Sequence, residues 1–470
     1  MIVHEGRVTL ADRDESVYVY LPVKVPAGTQ RMDVSYRFDD GSILDLGLFD
    51  PSLTPFPSRS GFRGWSGSAR RHVFVAAGSA TPGYIAGPAG EPLPAGTWQV
   101  VLGLAQVAAE GCDYRVEIEF DRPTRDEATG KGPARWYRGD LQSHTHHSDA
   151  RGSLDELLVE AKHRGLEFLA VTDHNTVSHH GPLRERSGPD LLLIPGEEIT
   201  TYKGHANVWG LSGWADFRVE KRADLDLLVE QITARGGVFS VNHPKVTPNC
   251  LGCDWEYHVP QGTTGFEAWQ GAWPLRNWDS LQRYDALLAA GRVLTLVGGS
   301  DRHHPGAPHS DPVAFQLGSP TTWLYLEEPS VPAVLEAIRS GRAFVTEGPT
   351  GPTAELRVGS AVMGGTVPGG KSVEVTVRVV GAAGDLLRYI SSEGVEREVV
   401  VGSNEVEDSW QWLPRGTFLR AELVARASLP ALTAEAEALL AGGRLPPYLS
   451  LDEMLAHPWR RALTNPVYVR

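Results

Sequence analysis

The sequence predicts an α/β protein in which a core of alternating strands and helices is flanked by two regions of β-strands. Residues 136–348 alternate short apolar runs with amphipathic segments of helical spacing, which is typical of a sheet covered by helices. Residues 1–122 and 349–470 instead alternate apolar and polar positions between turn residues, which indicates antiparallel strands. At 470 residues the chain has room for about three domains, and these three ranges are their predicted bounds.

The composition restricts the classes of partner. Hydrophobic residues make up 41% and charged residues 22% of the chain, as in ordinary globular proteins. The formal net charge is -14 and no run of lysine or arginine occurs, so we expect neither a nucleic-acid polymer nor a membrane surface as partner. A small-molecule substrate remains open, because a bound metal ion can dominate the field of its site. The composition does not predict the oligomeric state.

The start of the chain carries no signal-peptide pattern, since no basic segment is followed by an apolar run. No stretch approaches the roughly 20 apolar residues that a membrane-spanning helix needs. The three cysteines are too few for a disulfide framework. We therefore expect a cytoplasmic protein.

The N-terminal region is predicted to be an antiparallel β-sandwich. Residues 17–23, 31–38 and 114–120 alternate as strands do, and the gaps between them carry Gly, Pro and Asp. No convincing helical period intervenes. Residues 121–133 are polar and aperiodic, which indicates a linker.

The central region begins with a clear helix signal. Ser153 and Glu156 form a capping box, and Gly165 stands where a helix-ending glycine belongs. A buried strand is predicted at 168–171. The same order of helix and strand is predicted twice more. A helix near 225–232 precedes an apolar strand at 238–241, and a helix near 280–290 precedes one at 294–297. Such alternation predicts a parallel sheet, either open or closed into a barrel.

The C-terminal region returns to strands. Residues 372–379 alternate strictly, and a helical interlude is predicted at 434–440. We interpret this region as a second β domain.

Histidines and carboxylates follow the apolar strands of the central region. They occur in the runs 140–149, 172–175, 195–198, 242–244 and 300–304. The carboxyl ends of parallel strands meet at one face, where active sites form. One histidine after a strand is more often a surface or capping residue than a ligand. Several strand ends with such residues indicate a metal site, and imidazole with carboxylate suits zinc, iron or manganese.

This arrangement resembles the PHP (polymerase and histidinol phosphatase) superfamily of metal-dependent phosphoesterases over residues 144–344. The resemblance rests on the following motifs: His144-x-His146, Asp173-His174, Gly196-Glu197-Glu198-Ile199-Thr200, His205, Asn242-His243-Pro244 and Asp301-x-His303. It implies a distorted (β/α)7 TIM-like barrel, here flanked by the β-sandwich and the C-terminal β domain. It also implies two or three divalent ions, commonly Zn, Mn or Fe.

The resemblance implies nine metal ligands. Its motifs assign them to three sites: His144, His146, Glu198 and Asp301; Glu198, His205 and His243; Asp149, His174 and His303. Glu198 is preferred to Glu197 as the bridging ligand because the motif glutamate precedes Ile-Thr. Since all nine positions hold ligating side chains, a non-enzymatic binding module is the weaker hypothesis.

The flanks resemble the CehA/McbA-type branch, named for hydrolases of the carbamate ester carbaryl, at 341–346, 418–423 and 464–469. The superfamily favours hydrolysis of a small phosphoester, and carbamate, carboxyl-ester or amide hydrolysis is the alternative. In either case, water on paired cations becomes the nucleophile near neutral pH.

Several residues near the ligands are candidates for work on the substrate. Asp301 is a candidate proton carrier, and Arg302 lies between two implied ligands. Lys203, Lys245 and Arg276 are candidate substrate contacts, although each could be a solvated surface charge. Convergent cations near the metals would favour a phosphoester substrate.

Two further patterns stay open. Cys250 and Cys253 have metal or redox spacing without a second pair, with His258 nearby, and their loop is a candidate lid. A dense aromatic cluster at Trp255, Tyr257, Phe266, Trp269, Trp273 and Trp278 indicates core packing or the wall of a substrate pocket that favours an aryl group.

Overall fold

The structure is a computed structural model that describes most of the chain. It covers residues 2–53, 60–68, 70–81, 83–88, 91–120, 133–188, 190–211, 213–247, 252–304, 315–427, 429–441 and 449–470. Contacts group the chain into two units, Met1–Asp126 with Ser212–Trp214, and Glu127–Leu211 with Ala215–Arg470. The predicted linker lies outside the described residues except for Pro133. None of the helices in the described ranges has the length and apolarity to cross a bilayer.

In its described residues, the N-terminal unit has two antiparallel sheets and one short helix. Its elements are β1 (Ile2–Val8), α1 (Leu10–Glu15), β2 (Tyr18–Val25), β3 (Arg31–Phe38), β4 (Ile43–Phe49), β5 (Phe62–Trp65), β6 (His72–Ala76), β7 (Ser79–Ala80), β8 (Gly96–Gln106) and β9 (Cys112–Phe120). The strand orders are β1-β9-β3-β6-β7 and β2-β8-β4-β5. Inward-facing side chains of both sheets form one hydrophobic cluster, since alternate strand residues point to opposite faces.

The predicted strands 17–23, 31–38 and 114–120 are confirmed as β2, β3 and β9. The expectation that no helix intervenes is wrong at α1. That helix buries none of its side chains, so it has no apolar period to detect, and the reciprocal capping box of Thr9 and Asp12 begins it.

The second unit begins with alternating strands and helices. Its first elements are β10 (Arg135–Asp140), α2 (Leu154–His163), β11 (Phe168–Val171), α3 (His180–Arg186), β12 (Leu192–Thr201), β13 (Gly204–Trp209), α4 (Arg222–Ala234), β14 (Val238–Val241), β15 (Gly265–Gln270), α5 (Asn277–Ala289), β16 (Thr295–Gly299), β17 (Thr321–Leu326), α6 (Val331–Arg339) and β18 (Ala343–Thr346). The predicted cap of α2 is confirmed, with Ser153 and Glu156 bonding each other's backbone. Gly165 follows that helix with φ +70°.

The sheet of this region is mixed rather than parallel throughout. Its order is β16-β15-β14-β13-β12-β11-β10-β17-β18. Strands β10 to β12 run parallel, as do β14 to β16, whereas β13 is antiparallel to both of its neighbours. The parallel prediction fails at β13, because only two residues join it to β12, too few for a crossover helix. It also fails at β17, which is antiparallel to both β10 and β18.

The chain after β16 lies against the chain after β10. The amide of Asp301 donates to the carbonyl oxygen of Gln142 at 3.0 Å, and the amide of His144 donates to that of Arg302 at 2.9 Å. The buried carboxylate of Asp140 accepts from the amides of Gln142, Ser300 and Gly318. These bonds bring together two polar runs that are about 160 residues apart in the chain.

The C-terminal strands continue the same sheet. The remaining elements are β19 (Thr353–Val358), β20 (Ala361–Val362), β21 (Thr366–Val367), β22 (Val373–Val380), β23 (Leu386–Ser391), β24 (Gly394–Val400), β25 (Glu405–Trp412), β26 (Phe418–Val424), α7 (Leu429–Ala441), α8 (Leu451–Ala456), β27 (Arg460–Thr464) and β28 (Val467–Val469). Strand β27 pairs with β18, and β26, β23 and β24 follow beyond it, while β20-β19-β22-β25 form a separate antiparallel sheet. Both the predicted strand at 372–379 and the helix at 434–440 are present.

A buried ion network ties α5 to β26. Arg420 is 2% exposed and contacts Asp285 and Glu422 at 2.7 and 2.8 Å, and Arg460 reaches Glu422 at 2.9 Å. Burial raises the pKa of Glu422, but the two arginines outweigh burial and lower it to about 2. The pair is therefore fully charged inside the protein.

Candidate metal centre

Residues from six strand ends converge beside the sheet. His144 follows β10, His174 follows β11, Glu198 lies in β12, His205 begins β13, and His243 follows β14. Asp301 and His303 follow β16. Strand ends meet here because neighbouring strands place them at one edge, and His174 also pairs with Glu198 through the backbone.

Glu198 lies at the centre of the cluster, and its side chain is fully buried. Its Oε2 lies 3.2 Å from His144 Nε2 and 3.3 Å from His174 Nδ1. Its Oε1 lies 3.4 Å from both His205 Nδ1 and His243 Nε2. One carboxylate thus contacts four imidazoles.

The ligand atoms form three overlapping groups, each within a sphere that one ion could occupy. The groups are His144, Glu198 and Asp301; His174, Glu198 and His205; and His144, Asp149, His174 and His303. In the first, His144 Nε2 lies 2.9 Å from Asp301 Oδ1. In the third, Asp149 Oδ1 lies 3.3 Å from His303 Nε2 and 3.6 Å from His174 Nε2.

The charge states of the three carboxylates suit cation binding. Burial raises the pKa of Glu198, but the surrounding histidines outweigh burial and hold it well below its usual value. Burial also raises the pKa of Asp301, but His303 and His144 outweigh burial and hold this pKa below its usual value. A hydrogen bond from His303, followed by charge effects, lowers the pKa of Asp149 to about 2. All three carboxylates are therefore ionised at neutral pH.

His144 gives the clearest test of whether the cluster fits a metal ion. The residue is 0% exposed, and neither ring nitrogen makes a hydrogen bond of acceptable geometry with a described residue. Glu198 Oε2 is likewise without one. Buried polar atoms normally have partners, and a divalent ion between these atoms would satisfy them. Imidazole nitrogens with carboxylate oxygens fit Zn, Mn or Fe.

Three amide side chains hold the carboxylates, and the sequence did not single out two of them, Gln142 and Gln270. Gln142 Nε2 donates to Glu198 Oε1 at 3.0 Å and to Asp301 Oδ1 at 3.2 Å. Asn242 Nδ2 donates to Glu198 Oε1 at 2.9 Å, and Gln270 Nε2 donates to Asp301 Oδ2 at 2.7 Å. Asn242 stands beside a motif histidine, whereas no local signal marks Gln142 or Gln270.

Glu267 is a further buried carboxyl that sequence reasoning missed. It accepts from the amide of His243 at 2.8 Å, and burial followed by the charge of Asp301 raises its pKa well above the usual value. His243 has φ +28°, a region unfavourable for a side chain with a Cβ. Glu267 therefore helps to hold the strained backbone that presents this histidine.

Glu198, and not Glu197, faces the histidines. Glu197 Oε2 instead accepts from the amide of Ala215 at 2.8 Å. Burial raises the pKa of Glu197 to about 8, so this side chain is largely neutral at pH 7. Adjacent residues of a strand point to opposite faces, which separates the two glutamates.

His146 is not drawn into the cluster. Its side chain is exposed, its Nδ1 lies 3.2 Å from the carbonyl oxygen of Gly152, and its ring stacks on His147 at 4.9 Å. The extended geometry that would put it on the same face as His144 ends at the turn after Thr145. His146 therefore lies outside the cluster in this conformation.

Arg302 points away from the ligands. Its guanidinium lies 3.3 Å from Glu160 on α2, and the residue is 3% exposed. Arg302 is not among the described residues that line the pocket. The expected contact of Arg302 with substrate is therefore not supported by the described pocket residues. The Arg302 side chain faces the side opposite to that of its neighbour Asp301.

A pocket of about 310 Å³ opens onto the cluster. Its described lining comprises Asp149, His174, His205, His243, Lys245, Thr247, Cys253, Gln270, Leu275, Arg276, Asp301, His303, Phe315 and Leu449. Lys245 and Arg276, two of the three predicted cations, therefore share a pocket with the ligands. Lys203 instead is exposed at the turn between β12 and β13.

Lys245 is a buried ammonium group without an ion-pair partner among the described residues. It is 7% exposed, and its Nζ donates to Gln270 Oε1 at 2.6 Å and Asn277 Oδ1 at 3.4 Å. Burial lowers its pKa to about 8, so it is mostly charged at pH 7. A buried charge that contacts only neutral amides can accept an anionic ligand.

The aromatic cluster belongs to the hydrophobic core. Four of its rings are buried in one cluster and two pack against it, and none lines the described part of the pocket. Core packing, the first of the two interpretations, accounts for them. Cys250 lies outside the described residues, and His258 is 2.5 Å from Asp226, so that histidine has a partner.

Comparisons with known proteins give partial matches. No protein-family model matches the chain. A segment of 65 residues is 45% identical to the 5′-3′ exoribonuclease Rnm of Escherichia coli (strain K12) and spans 13% of this chain and 22% of that protein. The chain thus matches about a fifth of the length of this curated relative.

Two solved structures are similar in part. One is a two-domain protein from Bacteroides vulgatus ATCC 8482 containing a predicted PHP-like metal-dependent phosphoesterase, with TM-score 0.38, 16% identity, and coverage of 64% of this chain and 94% of that one. The other is a candidate metal-dependent phosphoesterase from Bifidobacterium adolescentis ATCC 15703, with TM-score 0.26, 16% identity, and coverage of 36% and 88%.

Proposed function

We propose that this protein is a multinuclear metal-dependent phosphoesterase of the PHP type that hydrolyses a small phosphoester. In this proposal the central sheet is a distorted (β/α)7 barrel, flanked by an N-terminal β-sandwich and a C-terminal β domain. Membership of the CehA/McbA branch stays a prediction from the sequence.

The proposed ligand sets are those that the sequence motifs imply. One ion is held by His144, His146, Glu198 and Asp301, a second by Glu198, His205 and His243, and a third by Asp149, His174 and His303. The overlap of three ligand groups at Glu198 and His144 supports more than one ion. The first set requires the exposed His146 side chain to turn toward the cluster.

The observation that carries the phosphoester reading is the pocket itself, in which Lys245 and Arg276 stand with the ligand residues. A phosphoester brings at least one negative charge, and the buried ammonium group of Lys245, which forms no ion pair with a described residue, complements it. A carbamate is neutral and needs no such cation. The tryptophans that would have favoured an aryl carbamate are in the core.

The protein's own groups bind and orient the substrate. Divalent ions, when bound, acidify water and polarise phosphoryl oxygens. Lys245 Nζ and the Arg276 guanidinium attract the substrate's anionic oxygens. Asp301 is the proposed proton carrier, and Gln270 and Gln142 each donate to one of its oxygens and so fix its position. Arg302 acts indirectly, since its carbonyl oxygen accepts from the amide of His144.

Elemental analysis combined with a turnover panel tests the proposal. The panel contains p-nitrophenyl phosphate, bis-p-nitrophenyl phosphate and 1-naphthyl N-methylcarbamate. We expect two or more ions per chain and phosphoester turnover, both lost in His144→Ala with the fold retained by circular dichroism. Turnover of the carbamate alone would favour the alternative hydrolase, and failure to bind any metal would overturn both.

A nucleotide phosphoester is the second candidate, because the local match is to an exoribonuclease. The net charge of -14 argues against a long polyanion. We therefore expect a 5′-phosphorylated oligoribonucleotide to be a poorer substrate than p-nitrophenyl phosphate. The opposite order would assign the site to nucleic-acid ends.

A further inference from the structure

A C-terminal stretch, residues 449–459, reaches the pocket of the metal centre. We call it the α8 segment, after the helix it contains. Leu449 is buried and lines the pocket. Met454 and Trp459 are buried in the hydrophobic cluster that also contains Trp273. The C-terminal part of the chain therefore contributes directly to the pocket wall.

The same segment holds the loop between β15 and α5. Trp273 Nε1 donates to the carbonyl oxygen of Pro458 at 3.1 Å. The ring of His457 stacks on Trp278 with centroids 4.0 Å apart and planes 9° apart. The two tryptophans in these contacts lie on either side of Arg276 in the chain, and Arg276 lines the pocket.

Arg276 is held in an unusual conformation. Its φ of +60° lies in the left-handed region, which costs free energy for any residue with a Cβ. Its Nε donates to Asp279 Oδ2 at 3.0 Å, and its Nη1 lies 3.6 Å from Glu453 Oε1. Nη2 has no recorded partner in the described ranges. The two carboxylates thus orient the guanidinium and leave one nitrogen for a ligand.

We propose that the α8 segment determines the substrate specificity of the site. Glu453 is a positioning residue that aims Arg276 at an anionic oxygen of the substrate. Leu449 limits the size of the organic group that the phosphoester carries. The inference rests on the proposed function, because it requires an anionic substrate.

A purely structural role for the segment makes a different prediction for kinetics. The Glu453–Arg276 pair is partly exposed, at 29% and 21%, so its loss affects stability little. We expect Glu453→Gln to raise KM for p-nitrophenyl phosphate about three- to tenfold with kcat within twofold and metal content unchanged. The control is Asp452→Asn, an exposed neighbour on the same helix, which should leave KM unchanged.

A double-mutant cycle tests whether Glu453 acts through Arg276. Arg276→Gln should raise KM about tenfold or more, and adding Glu453→Gln should then have no further effect. An increase in KM that persists in the Arg276→Gln background would overturn the positioning role. An unchanged KM in Glu453→Gln alone would overturn it as well.

Substitutions at Leu449 test the size limit. Leu449→Ala should raise kcat/KM for 1-naphthyl phosphate relative to phenyl phosphate about threefold or more, and Leu449→Trp should lower that ratio. A ratio unchanged in both variants would refute the size limit proposed for Leu449. If wild-type protein turns over neither substrate, the proposed function has failed; if it turns over both but the variants behave as wild type, the inference alone has failed.

Discussion

Replacing the buried ammonium group of the pocket should separate anionic from neutral substrates. Lys245→Met keeps a side chain of similar length and removes the charge. Two opposite unit charges about 4 Å apart at a partly buried site interact by about 4 kcal/mol. Part of this is offset by the ligand's own desolvation, so we expect a loss of about 2–3 kcal/mol in transition-state binding, or about 30- to 150-fold in kcat/KM.

The assay compares kcat/KM for p-nitrophenyl phosphate in wild type, Lys245→Met and Lys203→Met. Lys203 is exposed on the β12–β13 turn, so its variant should behave as wild type. Metal content is measured as a control, because Lys245 also donates to Gln270, which in turn donates to Asp301. The comparison of kcat/KM requires the same metal content in all three proteins. Thermal stability should not fall, since the variant removes a buried charge that has no carboxylate partner among the described residues. Unchanged kcat/KM, or an equal loss for Lys203→Met, would refute the reasoning.

Three further predictions test the supporting structure. Gln142→Leu removes the amide that donates to both central carboxylates, so metal affinity should fall about 10- to 100-fold in chelator competition, and unchanged affinity would contradict that role. Glu422→Gln should lower the unfolding free energy by about 3 kcal/mol at pH 7 in urea titrations. The folded pKa of about 2 lies below the unfolded value, so this contribution is present above about pH 4.5 and is lost as pH falls toward 2. The same pH dependence of the unfolding free energy in wild type and Glu422→Gln would contradict this prediction. Arg302→Met should lower the melting temperature and leave KM unchanged, because its guanidinium contacts Glu160; a raised KM at unchanged stability would instead place it on substrate.

Local patterns in the sequence predicted most individual elements. Strands β11 and β14 have the predicted bounds, and the capping box of Ser153 begins α2 as expected. These features depend on residues a few positions apart, and hydrogen bonding and side-chain periodicity act over that range. The sequence did not predict α1, because a helix without a buried face has no apolar period to detect.

Sequence motifs also predicted which histidines and carboxylates belong to the candidate site, because metal ligation would restrict which side chains can stand at a strand end. They did not determine where each side chain points. His146 faces outward after a turn, and Arg302 faces Glu160, although each is close in sequence to a proposed ligand. Side-chain direction depends on backbone torsions that a spacing of two residues does not specify.

The sequence alone determined the α/β class, most of the order of elements and the residue types of the candidate metal centre. Only the tertiary structure decided that β13 runs antiparallel, that β27 joins the sheet beside β18, and that Gln270 meets Asp301. It also decided that Leu449 lines the pocket and that Glu453 lies beside Arg276. These contacts join residues far apart in the chain, and their free energy comes from packing and burial that no local pattern records.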